Sequence, residues 1–191
     1  MSTQPIPRLT EQDYLTAERT AIHKSEFVGG AIYAMSGGTS RHSNLASRLI
    51  FQLSMYLEGS TCRVFTSDLR IRVPQGDYFY PDASVVCGPV ETTDDRKDVC
   101  TNPILLVEVL SPSTADYDRG LKFEHYRQIS SLMEYLIIHS DGLHIEHYSR
   151  QHDASWVLRE YRGQDDKIPL PAVKCELLLG SVYAGVMELA G

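Results

Sequence analysis

The chain has 191 residues, enough for one domain with a sizeable core and cramped for two. At 42% hydrophobic and 23% charged it has the make-up of a globular protein, which excludes a disordered chain, and no apolar run approaches the ~20 residues a membrane helix needs. The net charge of −7, with no Lys/Arg cluster longer than two, argues against general nucleic-acid binding, because neutralising several phosphates calls for a basic patch.

Residues 1–9 read as an extended arm held by Pro5 and Pro7, with no apolar stretch of the signal-peptide kind. A cytoplasmic location is therefore expected, and with it four reduced cysteines, since Cys62, Cys87, Cys100 and Cys175 form no CxxC pair. Thr10 with Asp13 three residues on predicts a capped helix carrying Tyr14, Leu15 and Ala17. Glu26 to Tyr33, two β-prone runs around Gly29-Gly30, predicts a hairpin. Ser40 to Leu57 is the clearest helix: Leu45, Leu49, Leu53 and Leu57 recur every fourth residue. His42 falls near its start, either as a hydrogen-bonded helix-end histidine or at the rim of a site.

Three strands are expected next, Cys62–Thr66, Leu69–Val73 and Tyr78–Cys87, with Pro74 to Asp77 as a turn. Gly88 to Asn102 reads as a mobile, solvated acidic loop. Ile104 to Leu110 is a nearly continuous apolar run, the pattern of a strand covered on both faces. Glu108 interrupts it, and burying an unpaired carboxylate costs several kcal/mol at least. Ser111-Pro112-Ser113 breaks the strand, and a helix to about Ile129 carries Asp116, Asp118 and Lys122, so a Glu108–Lys122 salt bridge is one reading of the stretch. Two strands around Ser140-Asp141-Gly142, a strand at Trp156–Tyr161, a segment at Ile168–Pro171 and a short helix near Glu176–Val186 complete the chain. The order predicts an α+β fold with one central mixed sheet.

Asp82 supplies a second acid. If the strands holding Asp82 and Glu108 pair antiparallel with these residues opposite, both carboxylates face the same way about 5 Å apart and repel unless a proton or cation intervenes. Such oxygen ligands suit Mg²⁺.

Tyr80-Pro81-Asp82, Pro103 with Glu108-Val109-Leu110-Ser111-Pro112-Ser113-Thr114, Asp118 with Lys122 and Tyr126, and Glu134-Tyr135-Leu136-Ile137 together resemble the Uma-two restriction-endonuclease family of the PD-(D/E)XK nuclease superfamily. The Glu26–Gly30 hairpin and the Ser40–His42 helix start resemble its pattern as well, and the likeness spans about residues 10–150. It implies a restriction-endonuclease-like core, a central mixed sheet flanked by helices, with an N-terminal hairpin and further C-terminal strands. It also implies Mg²⁺ (or Mn²⁺) held by Asp82, Glu108 and the Val109 carbonyl. The lysine expected two residues after the second acid is absent, since Leu110 stands there, and the resemblance assigns its role to Lys122 on the following helix. Asp118, Lys122 and Tyr126 lie four apart on one helix face, so Asp118 is alternatively a helix cap or a partner of Lys122.

The resulting expectation is a single domain over residues 1–191, with a core at about 10–150 and strands and a short helix over 151–191. Its activity would be Mg²⁺-dependent endonucleolytic hydrolysis of nucleic acid, DNA in the first place. Asp82, Glu108 and Lys122 would be catalytic, with Glu26, His42, Asp118 and Tyr126 in support. A homodimer is compatible with this reading and a membrane partner is not. Two rivals are a catalytically silent DNA-associated or protein-binding module, which the charge favours, and an Mg²⁺ phosphohydrolase acting on a small substrate.

Overall fold

The computed structural model describes residues 8–35, 37–110 and 115–186. The strand break expected at Ser111-Pro112-Ser113 and nearly all of the N-terminal arm lie outside the described residues. Thr10 caps α1 (Glu11–Glu18) by a reciprocal pair of bonds: its hydroxyl accepts from the Asp13 N–H at 3.1 Å, and its own N–H donates to the Asp13 carboxylate at 3.0 Å. The hairpin follows as β1 (Ser25–Val28) and β2 (Ala31–Ala34). Gly29 and Gly30 sit at φ 59° and 85°, the left-handed pair that a tight hairpin turn requires. Helix α2 (Ser40–Tyr56) is capped by Thr39, whose hydroxyl accepts from the His42 N–H, and it buries Leu45, Leu49 and Leu53.

The strands β3 (Cys62–Thr66), β6 (Ala83–Cys87), β8 (Leu105–Leu110), β9 (Glu134–His139), β10 (Ile145–Arg150) and β11 (Trp156–Tyr161) form a six-stranded sheet in the order β11-β10-β9-β8-β6-β3. It is mixed, since β8 and β9 run parallel and the other neighbours antiparallel. Its faces follow from alternation along the strand. Leu105, Val107 and Val109 of β8 join α2 and the C-terminal residues in one core, while Leu106 and Leu110 join Tyr126, Ile129 and Leu132 in another. Glu108 belongs by period to the second face. That face is covered by α3 (Ala115–Tyr117), a π-turn (Asp118–Lys122) and α4 (Phe123–Tyr126), which succeed one another without a break. This helical stretch ends before Ile129.

The α+β class and the mixed central sheet are as the sequence implied, but strands are distributed over more than one sheet. The expected strand Tyr78–Cys87 is two: β5 (Tyr78–Phe79) belongs to a five-stranded sheet of order β2-β1-β5-β4-β7, with β4 (Arg70–Arg72) and β7 (Val99–Cys100), and β6 crosses to the larger sheet. Pro81, with no N–H to give a ladder, stands in the crossover. The segment 88–102 contains β7, and Arg19 holds its Asp94 and Asp98 at 2.6 and 2.8 Å, with Arg70 also on Asp98, so the expected loop is strand in part, while Glu91 and Asp94 to Lys97 are exposed as expected. At the C-terminal end β12 (Lys167–Leu170) and β13 (Cys175–Leu178) form a hairpin. The helix α5 covers Leu179–Tyr183, and Glu176 belongs to β13 instead of to a helix. Cys62 and Cys87 face each other in the β3–β6 register and form a disulfide, which corrects the expectation of four reduced cysteines; Cys100 and Cys175 are free. Among the described residues no helix is long and apolar enough to cross a membrane.

Leu49 is 1% exposed in the centre of the α2 stripe. Leu49→Ala is expected to lower unfolding stability by about 3–5 kcal/mol, the cost of a cavity in a core that relaxes only partly. Urea denaturation checks this. A loss under about 1 kcal/mol would mean that α2 is not seated on the sheet as described.

Candidate active site

Glu108 ends up in a protein interior, 4% exposed, because it is the fourth residue of a strand covered on both faces. Its partners come from the helical segment behind it. Lys122 Nζ lies 3.1 Å from Glu108 Oε1, and the Tyr126 hydroxyl donates to the same oxygen at 2.8 Å. Lys122 also lies 3.0 Å from Glu26 Oε1 and 3.4 Å from Asp118 Oδ1, so one ammonium serves three carboxylates. Asp118 is thus an i,i+4 partner of Lys122, and no side chain caps the π-turn. Single π-turns inside helices occur often at functional sites. Here the turn puts Asp118 and Lys122 on the buried side, 3% and 6% exposed.

Glu26 arrives from β1 in the other sheet. Its Oε2 accepts from the Tyr117 hydroxyl at 3.1 Å, and its Oε1 from the Tyr80 backbone N–H at 3.4 Å. Tyr117 was not singled out by sequence, although it stands beside Asp118 in the same motif. The Tyr80 hydroxyl donates to Glu18 at 2.9 Å, which anchors the crossover that carries Asp82.

Asp82 precedes β6, whose register sets Ala83 against Val107 and so brings Asp82 level with Glu108. Asp82 Oδ2 accepts from the Val109 backbone N–H at 2.7 Å and lies 3.2 Å from His42 Nε2. The two sequence readings of His42 thus hold together: it sits at a helix start and touches the site. All the residues singled out by sequence as site candidates, Asp82, Glu108, Val109, Lys122, Glu26, His42, Asp118 and Tyr126, converge on this one region.

The electrostatics follow from the count of charges. Burial lifts the Glu108 carboxyl well above its ordinary 4.5; Lys122 pulls it back, and Asp118, Asp82 and Glu26 raise it again. Burial alone would lower Lys122, but Glu108, Glu26 and Asp118 together hold it well above its ordinary 10.5. The two directions compete for one proton balance. Lys122 stays charged, facing three acids, while burial favours the protonated form of Glu108. Burial and then Glu108 push the Tyr126 hydroxyl up as well, so it remains a donor. His42 is raised from its ordinary 6.5, first by its hydrogen bond to Asp82, with burial opposing.

The carboxylates outnumber the ammonium, and the Val109 N–H is given to Asp82. This is an oxygen-rich donor set with negative charge in excess, which matches a hard divalent cation such as Mg²⁺. No imidazole or thiolate is needed to complete it.

This arrangement defines the class: a restriction-endonuclease-like fold with its acids at the junction of β6 and β8. The same fold recurs in a crystal structure of a protein from Anabaena variabilis described as a "putative nuclease belonging to DUF820". It superposes with a TM-score of 0.77 over 93% of this chain and 99% of that one, at 18% identity. The Uma2 family, described as "Putative restriction endonuclease", matches residues 11–179, and the chain belongs to it. Two Synechocystis proteins named as uncharacterized, slr1290 and sll1609, are each 36% identical; the matches cover 95% and 87% of this chain and 95% and 94% of theirs.

Two substitutions are expected to move stability in opposite directions. Lys122→Met leaves buried carboxylates without their cation and should cost about 3–5 kcal/mol near neutral pH. The deficit should shrink in acid as the carboxylates take up protons. Glu108→Gln should do the reverse. An acid whose folded pKa is raised binds more protons in the folded state, so its burden on stability grows as pH rises above 4.5. The Gln variant should therefore gain on the wild type with rising pH. Melting curves across pH decide: a Glu108→Gln variant that loses stability at neutral pH would show Glu108 to be a net stabilising partner of Lys122.

Proposed function

We propose that the protein is a Mg²⁺-dependent nuclease, with Asp82, Glu108 and the Val109 carbonyl as cation ligands and Lys122 as the catalytic cation. The observation that carries this reading is the surplus of carboxylates over a single ammonium at the β6–β8 junction. The family's description and the nuclease title of the structural relative support the same class. DNA is the substrate the family description favours.

A cation bound there would act as a Lewis acid and lower the pKa of its water, supplying the nucleophile at neutral pH. The rest falls to the chain's own groups. In the hydrolysis a water oxygen bonds to phosphorus, and the bond from phosphorus to the leaving sugar oxygen breaks in line. Lys122, fixed at 3.1 Å from Glu108 Oε1, is a preorganised positive charge toward the negative charge that develops on the phosphate. Tyr126 holds the Glu108 carboxylate in one orientation by its hydrogen bond at 2.8 Å. The Val109 N–H does the same for Asp82 at 2.7 Å. His42, 3.2 Å from Asp82, competes as a cation when protonated, so metal affinity should fall in mild acid.

A second reading, a catalytically silent module, has its own observation. Each of the three carboxylates around Lys122 already has that cation as a partner, and Asp82 has Val109 and His42. The net charge of −7 also works against binding a polyanion.

The two readings separate in one set of measurements. Full-length protein is incubated with supercoiled plasmid, single-stranded DNA and RNA, in Mg²⁺, Mn²⁺ or EDTA, and its melting temperature is followed with each metal. A nuclease nicks or degrades one of these substrates in metal and none in EDTA, and Asp82→Asn lowers the rate about 10²–10³-fold, the scale for one preorganised electrostatic group. Metal at a hundredfold excess over Kd adds about 2.7 kcal/mol to the wild type and nothing to Asp82→Asn. Metal stabilisation without cleavage supports the silent module. Stabilisation that survives in Asp82→Asn sinks the assigned ligand set.

A further inference from the structure

A second charged cluster lies at the turn between β9 and β10, apart from the acids around Lys122. His139 and His144 face each other across this hairpin, with the His139 N–H donating to the His144 carbonyl at 3.0 Å and ring centroids 3.8 Å apart. Glu146, two residues beyond His144, shares its face by the period of a strand and is 5% exposed. One ligand atom from each of His139, His144 and Glu146 falls within 4.8 Å of the others.

The hydrogen bonding in this cluster is crowded onto one oxygen, since Arg119 donates to Glu146 Oε1 at 2.9 and 2.7 Å and His139 Nε2 reaches the same atom. His139 Nε2 lies 2.9 Å from Glu146 Oε1 and 2.9 Å from the Arg119 guanidinium. A carboxylate only accepts and a guanidinium only donates. If Nε2 carries a proton, it meets the donor Arg119 badly; if it carries a lone pair, it meets Glu146 Oε1 as acceptor against acceptor. A metal cation between Nε2 and the carboxylate satisfies both atoms at once, in the space that the Arg119 charge now covers.

We propose that His139, His144 and Glu146 form a binding site for a borderline divalent transition cation of the Zn²⁺ class, which Arg119 covers when no metal is bound. Two imidazoles with one carboxylate suit Zn²⁺, Ni²⁺ or Co²⁺ and not Mg²⁺. Bonds of ~2.0–2.2 Å set tetrahedral donors about 3.3 Å apart, so His139 Nε2 and Glu146 Oε1 must open slightly from 2.9 Å while the widest pair, within 4.8 Å, closes. Glu160 Oε1 lies 2.9 Å from His144 Nε2, in the place of a carboxylate that orients a metal-bound imidazole. Arg119 is able to leave: its side chain is 34% exposed, against 6% for that of Glu146. Departure costs its contacts of 2.7 and 2.9 Å to Glu146, so the site is weaker than one left open.

The test uses full-length, untagged protein stripped with a chelator and dialysed, titrated with ZnCl₂ by calorimetry and with CoCl₂ by its visible d–d absorption. Saturating MgCl₂ is present throughout, so that the oxygen-rich site does not contribute. One ion per chain should bind, with a Co²⁺ spectrum of imidazole coordination. His144→Ala should weaken binding at least about tenfold, since losing a ligand costs no less than losing a group that merely orients one. Arg119→Gln removes the competing charge and should tighten binding about tenfold, a gain that a misfolded variant cannot produce. Asp82→Asn should leave the Zn²⁺ isotherm unchanged. The proposal is overturned if neither wild type nor Arg119→Gln binds, if His144→Ala binds as the wild type does, or if binding is confined to Arg119→Gln.

Discussion

The structure depends on one buried ammonium. Lys122 is reached by Glu26 from the five-stranded sheet, by Glu108 from the six-stranded sheet and by Asp118 from its own turn, at 3.0, 3.1 and 3.4 Å. It thereby ties two sheets and a helix at a point where apolar packing is interrupted. A surface pair such as Lys167–Glu176, with side chains 69% and 49% exposed, contributes about 0–1 kcal/mol at most. The Lys122 cluster is of another order, because removing its one ammonium leaves three buried carboxylates without a cation. Yet a cluster of this kind is a poor way to gain stability. Apolar residues of like volume commonly serve as well or better, and the surplus acids repel one another. What the cluster provides is a fixed field of oxygen ligands and one fixed positive charge, and that is a property of sites rather than of cores.

The sequence made the local part of this legible. A capping box, a Gly-Gly turn and a leucine every fourth residue are short-range signals, and α1, the β1–β2 hairpin and α2 followed them. Glu108 was conspicuous because it broke an apolar run, and its neighbourhood is the acids' meeting place. The partition of Tyr78–Cys87 between two sheets was not legible in its pattern, since both halves read as buried strand. Only Pro81 hints at the break. The Cys62–Cys87 bond depends on the register between β3 and β6, which no spacing of cysteines discloses. Glu26 stood in a hairpin 82 residues before Glu108 in the chain, so its approach to Lys122 required the topology of both sheets. The same holds for Arg19 and Arg70, whose grip on Asp98 orders what composition alone presents as an acidic loop.

The helical segment over 115–126 lies between two polar clusters. From its π-turn Lys122 reaches Glu108 on β8, and Arg119 reaches Glu146 on β10, with β9 between these strands. In both places a basic side chain of this turn meets a buried carboxylate, but the two differ in how replaceable they are. Lys122, with a side chain 7% exposed, has no route to water that does not strand three acids. It is part of the site in every state. Arg119, with a side chain 34% exposed, has solvent beside it and can leave Glu146 without stranding three acids. A fixed cation suits catalysis, where a charge must already be in place when the transition state forms. An exchangeable one suits ligand binding, where it protects a carboxylate until a better-matched ion arrives.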